Sequence, residues 1–442
     1  MPLGNRKHAI LLASLLLAVL ACSLAYSFGF RIKPMVDARW YDTIAWNLVS
    51  GKGFRLLEDG ALADDPAIAT VGPGYEYFLA GIYAIFGRHL EPVWIIQALL
   101  HTLNAFFVFL LAQRVLPDSP KRFLFCLFAA ALYGLNPDLI QIAAMLFTET
   151  LYLTLLLLAA LGMAAFVASP SARRAYGTAF ALACAILVRP TAVLPLAVFL
   201  AILLIKKKPL WLAGVLVIQL LFIAPWTVRN YSVYGRFVPL TAAGGYDLWV
   251  GNNPQSNGEE IPTKEVSDYK DQYGFLAADR RGTEEYAKFL LGDPAGFLKL
   301  QGIKTVKFFS AIRTSAWWFH LSGIARGLTF FISGGFFFIL LLLGIPGIYS
   351  SLRNGPASAR ILSVLTLTVP LAVIPIVVTS RLRYPMYPFL AVLGALAVYR
   401  YREGEIPRRN FLVSAGVIIG VTLMDILISA PQIPDRIMRL FS

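Results

Sequence analysis

The sequence predicts an all-α integral membrane protein with about 11 transmembrane helices. Three observations predict it: 58% of the 442 residues are apolar, 13% are aromatic, and mean hydropathy is +0.67. One soluble core does not need this much apolar surface, whereas repeated spans of a bilayer do. Apolar runs fall at roughly 8–28, 92–115, 122–136, 139–168, 176–189, 190–205, 209–228, 321–350, 359–379, 384–400 and 411–429. The run 139–168 is long for one crossing and is interrupted by Thr148-Glu149-Thr150, while 122–136 and 176–189 are short.

The first run continues to about Phe30, longer than the core of a secretory signal, so it reads as an uncleaved anchor. The formal charge of +14 would suit a nucleic-acid binder, but its placement argues against one. Basic residues cluster between apolar runs, at Arg6/Lys7, Arg114/Lys121/Arg122, Arg173/Arg174, Lys206–Lys208, Arg353/Arg360 and Arg400/Arg402/Arg408/Arg409. With the N-terminus cytoplasmic, all of them lie on the cytoplasmic side, and the opposite short loops are nearly free of Lys and Arg. The same topology puts both long hydrophilic stretches, about 29–91 and 229–320, on the outer face, with the C-terminal tail. Three units follow: a transmembrane module over 1–228, an outer loop domain over 229–320, and a second transmembrane module over 321–442. Cys22, Cys126 and Cys184 sit inside apolar runs without ligand spacing, so neither a disulfide framework nor a metal site is expected.

The first outer stretch opens MVDARWYDTIAWNLVSGKGF, which sets Asp37 where the membrane meets water. Asp is among the best helix N-caps, so capping of a helix to about Val49 competes with a catalytic role. The following GPGYEYFLAGIYAIFG is too short for a full span and suits an interfacial helix. Asp42, between one and two turns beyond Asp37, reads as structural, facing solvent or a lysine. Gln97, His101 and Asn104 share one face of the second span, and Glu149 interrupts a later one. Such groups are expensive in lipid, and hydrogen bonding between helices explains them better than function does. Glu259 and Glu260, beside Asn252 and Asn253, read as a solvated loop ahead of a divalent-ion site.

Several short motifs lie in order on this topology: Asp37 with Tyr41, Ala45, Leu48, Gly51, Gly53 and Phe54; Gly72-Pro73-Gly74-Tyr75; Arg189-Pro190; Pro225-Trp226-Thr227-Val228-Arg229-Asn230; Gly251-Asn252-Asn253-Pro254; and Arg381, Arg383, Tyr384, Pro385 and Pro388. In this combination the chain resembles the membrane glycosyltransferases of the GT-C fold, in particular the bacterial relatives of protein O-mannosyltransferases and of the lipid A aminoarabinose transferase. The resemblance implies a GT-C-like bundle with interfacial helices in the first outer loop, in a bacterial inner membrane with the active site outside. It implies transfer of a sugar from a polyprenyl-phosphate donor to an acceptor hydroxyl with inversion, no cofactor, and Asp37 as general base. Lipid A, a lipid-linked or cell-wall glycan, and a protein Ser/Thr are all compatible acceptors. Some members carry Glu after the aspartate, where this chain has Ala38, so a second-carboxylate role has no positional match.

The departing phosphate needs cations, and Arg381 and Arg383 occupy a short outer turn with little other positive charge. They are the first candidates for donor binding, with anchoring of the helix end at the headgroups as the alternative. Arg189, Tyr41 and Tyr75 complete the candidate substrate-binding set, and Arg229 reads as a stabiliser of the loop exit. A transporter or flippase of lipid-linked glycans, and a noncatalytic assembly protein of the same fold, are the rival classes. Transporters commonly show repeated halves with midplane sites, whereas this chain has no evident repeat and gathers its polar material on one face.

The one-sided basic clusters make a direct prediction. Single cysteines near Gly60 and Asn257 are expected to label from the outside, and those near Lys207 and Arg408 only from the inside. Labelling of the Lys207 and Asn257 positions from one side would remove the basis for placing Asp37 outside.

Overall fold

The computed structural model describes residues 6–312 and 319–432. Trp317, Trp318 and the C-terminal tail from residue 433 lie outside the described residues. Among those described, seventeen α-helices and no named strand are present, with one isolated bridge between Glu259 and Val378. The chain is a multi-pass helical membrane protein.

Helix α1 (Arg6–Phe30) is followed by two shorter helices, α2 (Asp37–Val49) and α3 (Pro73–Phe86). Proline at the first position starts α3, where its missing N–H has no intrahelical partner to lose. Asp42 locks the two together: its carboxylate accepts from Tyr83 Oη at 2.6 Å and from Arg88 Nη2 at 2.6 Å. It is structural, but buried, and its partner is an arginine rather than solvent or a lysine.

The chain then runs through α4 (Leu90–Val115), α5 (Arg122–Gly134), α6 (Pro137–Ala143), α7 (Glu149–Ala168), α8 (Ala172–Val188), α9 (Val193–Ile205) and α10 (Pro209–Tyr234). The apolar run 139–168 is divided. Its first part, α6, forms with α5 a pair bent by 56°, and α7 begins only at Glu149. The break is possible in an apolar interior because Gln97 on α4 donates to the carbonyls of Ala143 and Met145, at 3.0 and 2.7 Å. His101 Nε2 meets the Gly134 carbonyl at 3.0 Å and Asn104 Nδ2 donates to Thr150 O at 3.3 Å. The polar face of α4 therefore joins helices.

A long connecting segment follows, with α11 (Gly244–Gly251), α12 (Lys264–Gly292, bent at Gly274) and α13 (Pro294–Phe309). The expected boundary at 228 falls inside α10, which continues to Tyr234. Last come α14 (Gly323–Asn354), α15 (Ala357–Val373), a 3₁₀ turn (Arg381–Met386), α16 (Tyr387–Arg402) and α17 (Arg408–Ser429). Helix α16 is the buried centre. It sits close against α14 because Gly347 has no side chain: a Cβ there would meet Leu393 O at 2.1 Å.

Length and composition qualify seven helices as spans, or eight when α5 and α6 count as one bent crossing. Helices α8, α9 and α15, with 17, 13 and 17 residues, are shorter. All eleven expected apolar runs contain helix, while the count of eleven full spans exceeds what length alone supports.

The bundle has two chemically different ends. At one, Lys121 lies 3.5 Å from Glu403, Ser358 Oγ donates to Arg114 O at 2.8 Å, Arg400 donates to Ser350 O at 3.0 Å, and His8 stacks on Phe123. Phe166 near the end of α7 meets Trp211 at the start of α10, beside Lys208. The basic clusters thus gather at one end, and Asp37 and Arg381 are at the other.

This segment is fastened to that second end by two lysines of α13. Lys307 Nζ pairs with Glu259 at 2.7 Å, both buried. Lys304 Nζ reaches Asn252 Oδ1 at 2.5 Å and Ile376 O at 3.0 Å. The expectation of a solvated loop at Glu259 is therefore corrected: the carboxylate is neutralised inside the protein.

Burial lowers the Lys304 ammonium from 10.5 to about 7. Between those values the unfolded chain holds a proton that the folded chain releases, so this group's contribution to stability rises with pH from about 7 to 10.5. We expect the unfolding temperature of the full chain in detergent, relative to Lys304→Met, to rise across that window. A constant difference between the two proteins over pH 7–10 would contradict it.

Candidate active site

Asp37 is the first residue of α2, where a carboxylate is favoured by the helix dipole. The helix N-terminus shows no side-chain capping bond. Instead Asp37 Oδ2 accepts from Arg381 Nη2 at 2.6 Å, across 344 residues of sequence. The carboxylate side chain is 34% exposed and the arginine 6%. A fixed buried cation therefore holds an accessible anion.

Arg381 is the hub. Its Nη1 lies 4.0 Å from Glu149 Oε1, its Nη2 lies 3.9 Å from Glu260 Oε1, and its guanidinium sits 5.2 Å from the centre of the Phe147 ring. Arg189 joins the same group, donating to Glu149 Oε1 at 2.7 Å and Thr148 Oγ1 at 3.0 Å. Glu149 joins elements, as expected of a polar group in an apolar run, and it does so through two arginines, Arg189 and Arg381. Its mid-run position hid this, though a carboxylate inside an apolar run was itself the signal.

Tyr41 is buried one turn along α2 from Asp37, edge-on to Tyr75 at 5.4 Å and to Phe147 at 6.5 Å. Tyr75 lies fully buried and donates to Gln97 Oε1 at 2.9 Å, so it supports the wall. Arg383 points elsewhere. Its guanidinium donates to the carbonyls of Phe308 and Ser310, at 3.2 and 2.7 Å, and lies 4.2 Å over Phe337. Both arginines of this turn are buried in protein, which rules out the alternative of headgroup anchoring.

Two further carboxyls stand near the pair: Glu260, and Asp247 of α11. Desolvation pushes Glu260 up from its ordinary range, opposed by Arg381 and reinforced by Asp37, although its side chain keeps 35% exposure. Desolvation pushes Asp247 well above the usual carboxylate range, reinforced by Glu260 and Asp37. The sequence singled out Glu260 only as a loop acid and did not suggest Asp247. Among the described residues, no group of three His, Cys, Asp or Glu side chains could hold a metal ion.

Chemically, the site offers an accessible carboxylate beside guanidinium groups oriented by a second carboxylate. This suits proton removal from one reactant next to the binding of an anionic group on another. Residues 69–228, which include Tyr75, Glu149 and Arg189, match the dolichyl-phosphate-mannose-protein mannosyltransferase family. The chain is similar to these mannosyltransferases. That stretch leaves out both Asp37 and Arg381.

No curated protein matches the chain. Among solved structures, it is similar to the archaeal oligosaccharyltransferase AglB from Archaeoglobus fulgidus, in complex with an inhibitory peptide and a dolichol-phosphate. Identity is 14%, over 94% of this chain and 55% of that one, with a TM-score of 0.44. The Archaeoglobus fulgidus oligosaccharyltransferase in complex with Zn and sulfate matches at 14% identity over 94% and 52%, TM-score 0.48. ArnT from Cupriavidus metallidurans, bound to undecaprenyl phosphate, matches at 17% identity over 90% and 78%, TM-score 0.39. The chain spans about half the length of the archaeal chains.

The two arginines of the 3₁₀ turn should separate on mutation. Arg383→Lys loses buried bonds to two carbonyls and should cost about 2 kcal/mol of stability. Arg381→Lys keeps a cation among Asp37, Glu149 and Glu260 and should cost less stability. Thermal unfolding of both variants checks this, and equal losses would contradict it.

Proposed function

We propose that this chain is a polyprenyl-phosphate-dependent glycosyltransferase that transfers one sugar to an acceptor hydroxyl, with Asp37 as general base. The Asp37–Arg381 pair carries the reading, since it joins a proton acceptor to a cation suited to phosphate. The resemblance over residues 69–228 supports the reaction class.

In this reaction the acceptor hydroxyl gives its proton to Asp37 while its oxygen bonds to the anomeric carbon. The bond from that carbon to the phosphate oxygen breaks, and the electron pair leaves with the phosphate. Displacement from the opposite face inverts the anomeric centre. The leaving group is already anionic, so it needs cations more than a proton. Arg381, and Arg189 held by Glu149 and Thr148, supply them. Tyr41 and Phe147 wall the site, and the charge of the guanidinium groups counts for more where water is excluded.

The basic end of the bundle suits the cytoplasmic face of a bacterial inner membrane, which puts the acid-lined recess outside. One polar site at one end fits a transferase better than a transporter, whose substrate crosses at the midplane.

Asp37→Asn preserves shape and can still accept from Arg381, but cannot take the proton. A loss of roughly a hundredfold to ten-thousandfold in transfer is expected, with unfolding temperature and undecaprenyl phosphate binding close to wild type. Release of undecaprenyl phosphate and appearance of glycosylated acceptor are the measurements. Near-normal turnover in folded Asp37→Asn protein would leave the proposed reaction without a base.

A further inference from the structure

One nitrogen of Arg381 faces two carboxylates. Nη2 donates to Asp37 Oδ2 at 2.6 Å and lies 3.9 Å from Glu260 Oε1. The two acids come from separate parts of the chain, the start of α2 and the loop between α11 and α12. Both keep contact with water, at 34% and 35% exposure, while the guanidinium they share is 6% exposed. Glu149 stands 4.0 Å from the other terminal nitrogen, Nη1, and is itself engaged by Arg189 at 2.7 Å. The second place on Nη2 belongs to Glu260.

Glu260 is brought there by its own loop. Lys307 binds the neighbouring Glu259 at 2.7 Å, Glu259 N donates to Asn257 Oδ1 at 2.9 Å, Ile261 N donates to Glu259 O at 2.8 Å, and Val378 N donates to Gly258 O at 3.0 Å. These bonds fix the backbone on both sides of Glu260 without using its side chain. A carboxylate set just beyond bonding distance from a donor already in use adds little while Asp37 is charged. It matters once Asp37 is neutral, because a buried guanidinium that loses its anion is costly, and that cost would oppose the protonation itself. A shift of about 1 Å brings Nη2 and Glu260 into hydrogen-bond range.

We infer that Glu260 is a positioning residue, the counter-ion to which Arg381 Nη2 turns when Asp37 takes the acceptor's proton. Asp37 keeps the proton, Arg381 keeps its charge, and nothing is transferred to Glu260. The exchange holds the guanidinium in place while negative charge grows on the departing phosphate. The part played in turnover rests on the glycosyltransferase reading. The exchange itself needs only a neutral group at position 37.

Asp37→Asn supplies that neutral group, so a double-mutant cycle on the full chain in detergent tests the exchange without sugar transfer. At about pH 8, Glu260→Gln alone should lower the unfolding temperature by less than about 1 °C, and the same change in Asp37→Asn protein should lower it by at least about 3 °C. The groups facing Glu260 are Arg381, Asp37, Arg189, Glu149, Asp247 and Tyr246. Desolvation raises Glu260 above the ordinary glutamate range, so its charge, and with it the excess loss, should fade as the pH drops to about 5. Equal losses in the two backgrounds, or an excess that persists unchanged at the lower pH, overturn the inference, since a side chain that only fills space would behave so. In transfer assays Glu260→Gln should lower kcat about tenfold with the donor KM within about twofold of wild type, and an unchanged kcat overturns it too. An additive cycle beside an inactive Asp37→Asn protein removes Glu260 alone; an active Asp37→Asn protein removes the base and leaves the cycle to be read by itself.

Discussion

The cost of burying Arg381 governs one end of the helical bundle. An unpaired guanidinium away from water is expensive, and its partner must come with good geometry or the site will not form. Asp37 supplies that partner at 2.6 Å, with Glu149 and Glu260 at about 4 Å and the Phe147 ring beneath. These groups come from the start of α2, the start of α7, the connecting segment and the turn before α16. Satisfying one charge thus brings together four distant parts of the sequence, and the proposed base is among them. The arrangement is asymmetric in a useful way: the cation is fixed by burial while the carboxylate keeps a face to solvent.

The connecting segment is part of this balance. Glu260 stands next to Glu259, whose carboxylate is held by Lys307, and Val378 N donates to Gly258 O at 3.0 Å three residues before Arg381. The α13 lysines therefore hold the loop bearing Glu260 and the strand-like stretch leading to Arg381 in one register. Two buried lysine side chains hold this one loop. They fix the distance between a site cation and one of its counter-charges.

Much of this was legible from residue types, and what was not follows from physics that sequence does not display. Apolar runs placed the helices, and the basic clusters sorted the bundle ends, because both signals are local. Asp37 stood out because a carboxylate at a membrane edge is unusual. The sequence offers its partner only as a candidate phosphate ligand, and the pairing of the two depends on how α2 meets the turn after α15. Arg381 and Arg383 looked equivalent because they are two residues apart. In a 3₁₀ turn that spacing sends side chains in different directions, so one enters the site and the other caps the carbonyls of Phe308 and Ser310. Glu149 does join separate elements, as its place inside an apolar run suggests, but its partners, Arg189 and Arg381, are far away in sequence and could not be named from it.

The glycines at 72 and 74 show how the site and a neighbouring apolar groove of about 620 Å³ between α3, α7, α8 and α10 constrain each other. A Cβ at Gly72 would lie 2.3 Å from Leu187 O, and one at Gly74 would lie 2.9 Å from Val188 N. Gly72 also has φ of 153°, a region where side chains are strained. The start of α3 therefore presses directly on the end of α8, one or two residues before Arg189. That contact sets how far the α2–α3 unit, with its base, can stand from the arginine held by Glu149. It also shapes the groove, since Pro73 and Gly74 form one wall and Leu187 and Val188 the other. A side chain at either glycine would push apart the two surfaces on which base, cation and groove depend, so the sequence has little freedom there even though neither residue has chemistry of its own.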